Sequence, residues 1–198
     1  MQMKPKDQST VTMKTKRLTL REFHDSDLPA VHAYAQDAET TKYLEWGPNT
    51  LKETTVFLNE SLGFQKEQPR VTFDMAIIVD GDQKLIGACS VTILDKKKRI
   101  SALGYVLHSK AWGQGYATEA ANALAKFAFE ELGMDKILAT CDAMNLASER
   151  VMQKIGMRKE SELAKDKFIK GMYRDTLVYS LDQATWTALN ASADTVTD

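Results

Sequence analysis

The sequence predicts a mixed α/β domain, with a largely antiparallel sheet that contains one parallel step. Three observations lead there. Short runs such as "RLTLREF" (17–23) alternate apolar and polar residues, as half-buried strands do. The strongest helical pattern of the chain sits between two strand-like runs, so 100–142 has room for a right-handed crossover between parallel neighbours. Turn signals join the other runs as hairpins, the "DG" step of "DGDQ" (80–83) being the clearest.

Residues 1–13 are polar and read as a disordered N-terminal tail, and 187–198 as a polar C-terminal tail. Between them, 14–186 forms one domain without a linker, repeat or low-complexity stretch. After the first strand, "SDLPAVHAYAQD" (26–37) reads as a helix with Ser26 as its N-cap, and "LKETTVFLNESLGFQKE" (51–67) as a second helix. "RVTFDMAIIV" (70–79), "KLIGACSVTIL" (84–94) and "RISALGYVLH" (99–108) are strands. Over 115–132, Ala117, Ala120, Ala121, Leu124, Phe127 and Ala128 recur at steps of three and four. That face is thin enough to lie close on a sheet, and Gly133 ends the helix. "KILATCD" (136–142) is a strand, "LASERVMQKI" (146–155) a short helix closed by Gly156, and 157–181 two further strands.

Composition excludes several classes of function. With 198 residues, 43% hydrophobic and 27% charged, the chain is an ordinary globular domain. A net charge of −1 carries no footprint for nucleic acid or a membrane surface. No apolar run is long enough to span a bilayer, and the N-terminus lacks the apolar segment of a secretory signal. Cys89 and Cys141 have neither metal-ligand nor redox spacing, so they read as buried free thiols of a cytoplasmic protein.

The stretch that carries chemistry is "WGQGYA" (112–117), where an apolar strand gives way to a helix. The first N–H groups of a helix have no partner within it, and the helix dipole favours negative charge there. Gly113 and Gly115 let the backbone come close to a phosphate, and Ala117 keeps the first turn small. A tight turn without a ligand satisfies the same pattern. "GQGYATEA" lacks the Lys-Ser/Thr of a P-loop, and Thr118 stands where a dinucleotide fingerprint needs its third glycine. A pyrophosphate held by backbone amides alone, as in coenzyme A, is what remains.

With these residues in view, 104–160 resembles the core of the GCN5-related N-acetyltransferases (GNAT), and in particular the subgroup similar to the ribosomal-protein N-acetyltransferases RimJ and RimL. The superfamily pattern Gln/Arg-x-x-Gly-x-Gly/Ala is matched by Trp112 to Ala117, with Trp112 departing at the Gln/Arg position. "NLASERVMQKIGM" (145–157) and "GMYRDTLVYSL" (171–181) match later segments. The resemblance covers about 14–186 and implies a GNAT fold: a mostly antiparallel mixed sheet of about seven strands, with one parallel splayed pair and flanking helices.

It also implies roles. Backbone groups of Tyr105, Val106 and Leu107 would pair with the pantetheine arm of acetyl-CoA as an added strand does. The amides of Trp112, Gly113, Gln114, Gly115, Tyr116, Ala117 and Thr118 would hold the pyrophosphate, with Lys154 near the phosphates. Asn145 precedes a helix and caps it on physical grounds alone; the resemblance adds a contact to the pantetheine arm. Many members carry a tyrosine acid where this chain has Met152, which has no proton to give, so the serine of Asn-x-x-Ser, Ser148, takes that role. The subgroup pattern implies a carboxylate base that Glu160 matches, with Glu45, in a segment that would border the acceptor, as the second candidate; an exposed surface glutamate is the other reading of both.

The acceptor is a primary amine in either of two forms: the N-terminal α-amine of a ribosomal or other protein, or a small amine such as a polyamine, an amino sugar or an amino acid. Making an α-amine neutral at pH 7 costs about 1.4 kcal/mol and a lysine about 4.6 kcal/mol, which favours the α-amine at a weakly basic site. The resemblance is compatible with a homodimer. A reading of another class, a sensor that binds acyl-CoA without turnover, stays open on the loss of the tyrosine at Met152.

Overall fold

Alternation along the first strands decides which residues go inside. In the computed structural model, which describes residues 10–194, β1 (Thr12–Lys14) and β2 (Leu18–Glu22) form an antiparallel pair, and Leu18 and Leu20 of β2 are fully buried. Next come β3 (Thr72–Val79), β4 (Lys84–Asp95) and β5 (Ile100–Leu107), each antiparallel to the one before. β6 (Lys136–Asp142) lies parallel to β5, while β7 (Arg158–Ile169) and β8 (Met172–Asp182) form the last hairpin. The single sheet of eight strands runs β1-β2-β3-β4-β5-β6-β8-β7, so the predicted parallel step is present and the strand count is one higher than expected.

Helices cover both faces. α1 (Leu28–Ala35), the single turn α2 (Ala38–Thr41) and α3 (Leu51–Phe64) go with a core of Phe23, Val31, Tyr34, Leu58, Ala76 and Ile78. On the other face α4 (Tyr116–Lys126) lays Ala120, Ala121 and Leu124, all fully buried, against Met75, Ile77 and Val91. Past Lys126 the chain winds one π-helical stretch, 127–131, which also buries Phe129, and Gly133 then turns it at φ +67°. α5 (Leu146–Lys154) follows β6, and α6 (Gln183–Asp194) follows β8.

Three expectations change, and one element is new. β1 begins inside the predicted 1–13 tail and crosses its boundary; residues 1–9 of that tail fall outside the described residues. α6 replaces much of the predicted 187–198 tail: Asp182 accepts the Thr185 N–H at 2.7 Å as a cap, and Trp186 stacks on Phe129 at 5.3 Å, so the domain runs past residue 186. Ser26 caps nothing; residues 25–27 form a 3₁₀ turn, and the Asp27 carboxylate accepts the His24 N–H and a bidentate Arg21. α2 has no counterpart in the sequence reading. Both cysteines are buried and free, and among the described residues no helix is long and apolar enough to cross a membrane.

Candidate active site

The parallel step opens the sheet. β5 and β6 pair at Ile100↔Lys136, Ser101↔Ile137 and Ala102↔Leu138, and no further. Along β5 the polar backbone groups alternate sides. His108 N–H donates to Ile86 C=O at 2.8 Å, so Gly104 and Val106 face β4, while Leu103, Tyr105 and Leu107 face the gap. Val106 therefore cannot offer its backbone to a ligand there, contrary to expectation. The Leu107 C=O is taken by the Trp112 indole N–H at 2.8 Å. Tyr105 keeps the expected position.

The turn after β5 is built as predicted. Gly113 (φ +75°) and Gly115 (φ +80°) are both left-handed, and a Cβ on Gly113 would meet nothing within 4 Å. Gly115 caps α4, whose first ladder bond is Glu119 N–H to Gly115 C=O, so the amides of Gly115, Tyr116, Ala117 and Thr118 precede the ladder. Trp112 differs: its N–H donates to Ser109 C=O at 3.1 Å and is spent on the turn.

Arg17, absent from the sequence reading, braces this loop. It donates to Gln114 C=O at 2.9 Å, lies over the Tyr116 ring and binds Glu119 through Nε and Nη2, both at 2.7 Å. Burial works against charge on Glu119, but bonds from Thr15 and Arg17 outweigh it and hold this carboxyl below the ordinary range. On the far side, Thr40 of α2 accepts the Ser109 N–H at 2.8 Å and donates to Asp37, which pins the start of the same loop.

Asn145 caps α5 through the Ser148 N–H at 3.1 Å. That cap presents the Ser148 hydroxyl to the gap, 3.0 Å from the Tyr105 hydroxyl, which also lies 2.9 Å from the Ser148 C=O. Burial raises the Tyr105 phenol well above its usual range, so it stays protonated. Met152, one turn on, is fully buried in the core. Cys141 also borders the cleft, but burial and then Glu149 push its thiol up to about 11, which suppresses the thiolate a nucleophile needs.

These groups line a cleft of about 1120 Å³ that crosses from the gap to the α1–α3 face. Its lining carries seven carboxylates (Glu39, Glu45, Glu53, Glu60, Asp74, Asp142 and Asp175) against Lys167 and Arg174. Lys167 is paired with Glu45, and Arg174 stands 3.6 Å from Asp142. The cleft is therefore acidic and suits a cation. Among the described residues no His/Cys/Asp/Glu group is arranged to hold a metal.

Residues 17–158 match the Acetyltransferase (GNAT) domain family. The chain belongs to it. The uncharacterized N-acetyltransferase YnaD of Bacillus subtilis is 32% identical over 172 residues, covering 87% of this chain and 97% of that protein. The crystal structure of a GNAT-family acetyltransferase from Bacillus anthracis superposes with a TM-score of 0.78 at 30% identity, over 88% of this chain and 99% of that one. A spermidine N-acetyltransferase from Vibrio cholerae, solved with CoA and spermine, shares the fold at a TM-score of 0.76 and 19% identity, over 87% of this chain and 99% of that one. This GNAT protein is an acetyl-CoA-dependent N-acetyltransferase. Its gap-facing strand edge, left-handed glycines and amides ahead of α4 fit that donor.

Two sequence-predicted residues fall elsewhere in this GNAT domain. Glu160 is bound by Lys136 and by Ser180 at 2.8 Å, near the start of β6 and outside the cleft lining. Lys136, then Ser180, hold its carboxyl below the usual range, which makes it a weaker base still. Lys154 lines a separate depression with Asn122 and Trp186. Glu45 does border the cleft, with its carboxylate bound to Lys167. Besides Arg17, the sequence reading missed Tyr34 and Asp74 in the cleft, since neither lies in a motif.

Proposed function

We propose that this chain transfers acetyl from acetyl-CoA to a small, positively charged primary amine by direct attack in a ternary complex. The observation that carries it is an acidic cleft opening onto the β5–β6 gap. Acetyl-CoA supplies the acetyl group as an activated thioester. The main chain of Leu103 and Tyr105 receives the pantetheine arm along the gap, and the amides from Gly113 to Thr118 take the pyrophosphate. Ser148 gives a proton to the departing sulfur, with the neutral Tyr105 phenol behind it. In the balance an N–C bond forms and a C–S bond breaks; the ammonium loses one proton to water before attack and a second as the amide forms, one proton reaches the sulfur, and one is released to solvent. The raised Cys141 thiol supports direct attack over an acyl-cysteine route.

The RimJ/RimL resemblance supports a second acceptor, a protein N-terminal α-amine. Exposed Trp46, Met144 and Leu146 on the cleft rim give an apolar surface that a polypeptide could use. Thiol release from acetyl-CoA with polyamines and amino sugars in one set, and peptides with free N-terminal Ser or Ala in the other, separates the two. Turnover of small amines is expected, and turnover of peptides alone would replace that reading with the second. Tight CoA binding without turnover of either would refute both acceptor readings.

A further inference from the structure

We propose that the acceptor is an aliphatic polyamine whose distal ammonium is held by Asp74, Glu60 and the Tyr34 hydroxyl. This rests on the acetyl-transfer reading above and names the substrate class of that site.

The strand register builds the path. Asp74 stands opposite Ser90 on β4, and Ser90 opposite Gly104 on β5, so one rank of residues crosses three adjacent strands and ends beside the gap. Phe73 and Met75, the neighbours of Asp74, pack into the α4-side core, so alternation sends Asp74 to the opposite face, under α3. Gly104 adds no side chain to this rank and Ser90 only a hydroxyl. Nothing bulky separates the gap from Asp74 along it.

The far end of the rank has the chemistry of a cation site. Ser61 of α3 donates to one Asp74 oxygen at 2.8 Å, leaving the other for a ligand. Glu60, the preceding residue on α3, also lines the cleft and adds to the field that, after burial, raises the Asp74 carboxyl. Tyr34 is 2% exposed, borders the cleft, and its hydroxyl has no hydrogen-bond partner. Arg70, the cation whose charge reaches Asp74, is ion-paired with Glu22. An ammonium carries three donors, and two carboxylates and a phenol oxygen provide three acceptors.

Length follows from the sheet. Two strand spacings put Asp74 about 10 Å from the edge of the gap. Allowing about 3 Å for a hydrogen bond and roughly 1.2 Å of advance per bond, the two nitrogens are separated by about five methylenes.

The test compares pentane-1,5-diamine with pentan-1-amine as acceptors, by kcat/KM, in the native chain and in Asp74→Asn and Tyr34→Phe. The native protein should prefer the diamine by about tenfold or more. Asp74→Asn should remove most of that preference and Tyr34→Phe part of it, with thermal melts confirming that both fold. A preference that survives Asp74→Asn would belong to the general acidity of the cleft and would overturn the proposal, as would no preference in the native chain. If neither amine is turned over, the acetyl-transfer reading itself is in question. Calorimetry of the diamine, with CoA present, then decides the subsite alone: binding lost in Asp74→Asn upholds it, and binding that is absent or unchanged refutes it.

Discussion

Replacing Arg17 by Met tests whether the Gly113–Gly115 turn is braced from the start of β2. The substitution keeps the aliphatic stem but removes the two donors to Glu119, the one to Gln114 C=O and the charge over Tyr116. Buried charge-assisted bonds contribute about 1.5–3 kcal/mol each, but this guanidinium is 42% exposed and solvent screens it. A net loss of about 1.5 kcal/mol is expected, or roughly 5 °C in Tm for a domain of this size. Freeing the turn should also weaken CoA binding about fivefold. Because the folded Glu119 carboxyl lies below its unfolded value, its contribution is complete above the ordinary glutamate range. It is lost as pH falls through the depressed folded value, so native and variant melts should converge in acid. Urea unfolding of Arg17→Met, Glu119→Gln and the double variant gives the coupling directly. Coupling below about 0.3 kcal/mol, with unchanged CoA affinity, would refute the brace.

Four further variants test the site. Ser148→Ala should lower kcat by about 10- to 100-fold with little change in KM for acetyl-CoA, and Tyr105→Phe by a smaller factor; full activity in Ser148→Ala would remove it as the acid. Glu160→Gln should leave kcat within about twofold, because its carboxylate is bound to Lys136 and Ser180 outside the cleft; a large loss would restore it as the base. Gly113→Ala introduces no clash but forces a side chain onto φ +75°, at about 1 kcal/mol, and should raise KM for acetyl-CoA severalfold. An unchanged KM would mean that those amides do not hold the donor.

What the sequence made legible was local. The turn around Gly113 and Gly115, the Asn145 cap and the alanine face of α4 each depend on residues a few positions apart, and all stand as read. What it hid depends on distant chain. Asp74 and Gly104 share a rank only through the β3–β4–β5 register, and Tyr34 reaches the same cleft from α1. Arg17 meets Glu119 across 102 residues. Glu160 was placed by pattern matching, whereas its environment is set by β7 lying outside β8, next to Ser180. α6 has no strong apolar periodicity in the sequence, and its contacts are again with distant chain, Trp186 with Phe129 and Leu189 beside Gly156.

Two parallel strands side by side would ordinarily go on zipping. Here they stop after three rungs, and the Tyr105 hydroxyl, bonded to the first turn of α5, stands as a strut across the opening. That strut ties β5 to α5 beside the opening. If the donor binds there as proposed, the gap is already open, so little of its binding energy would go to prying the sheet apart and more would be left to hold the thioester against the amine. The same strut is bonded to the Ser148 hydroxyl, the proposed acid, so a change that moved the strut would also move that hydroxyl.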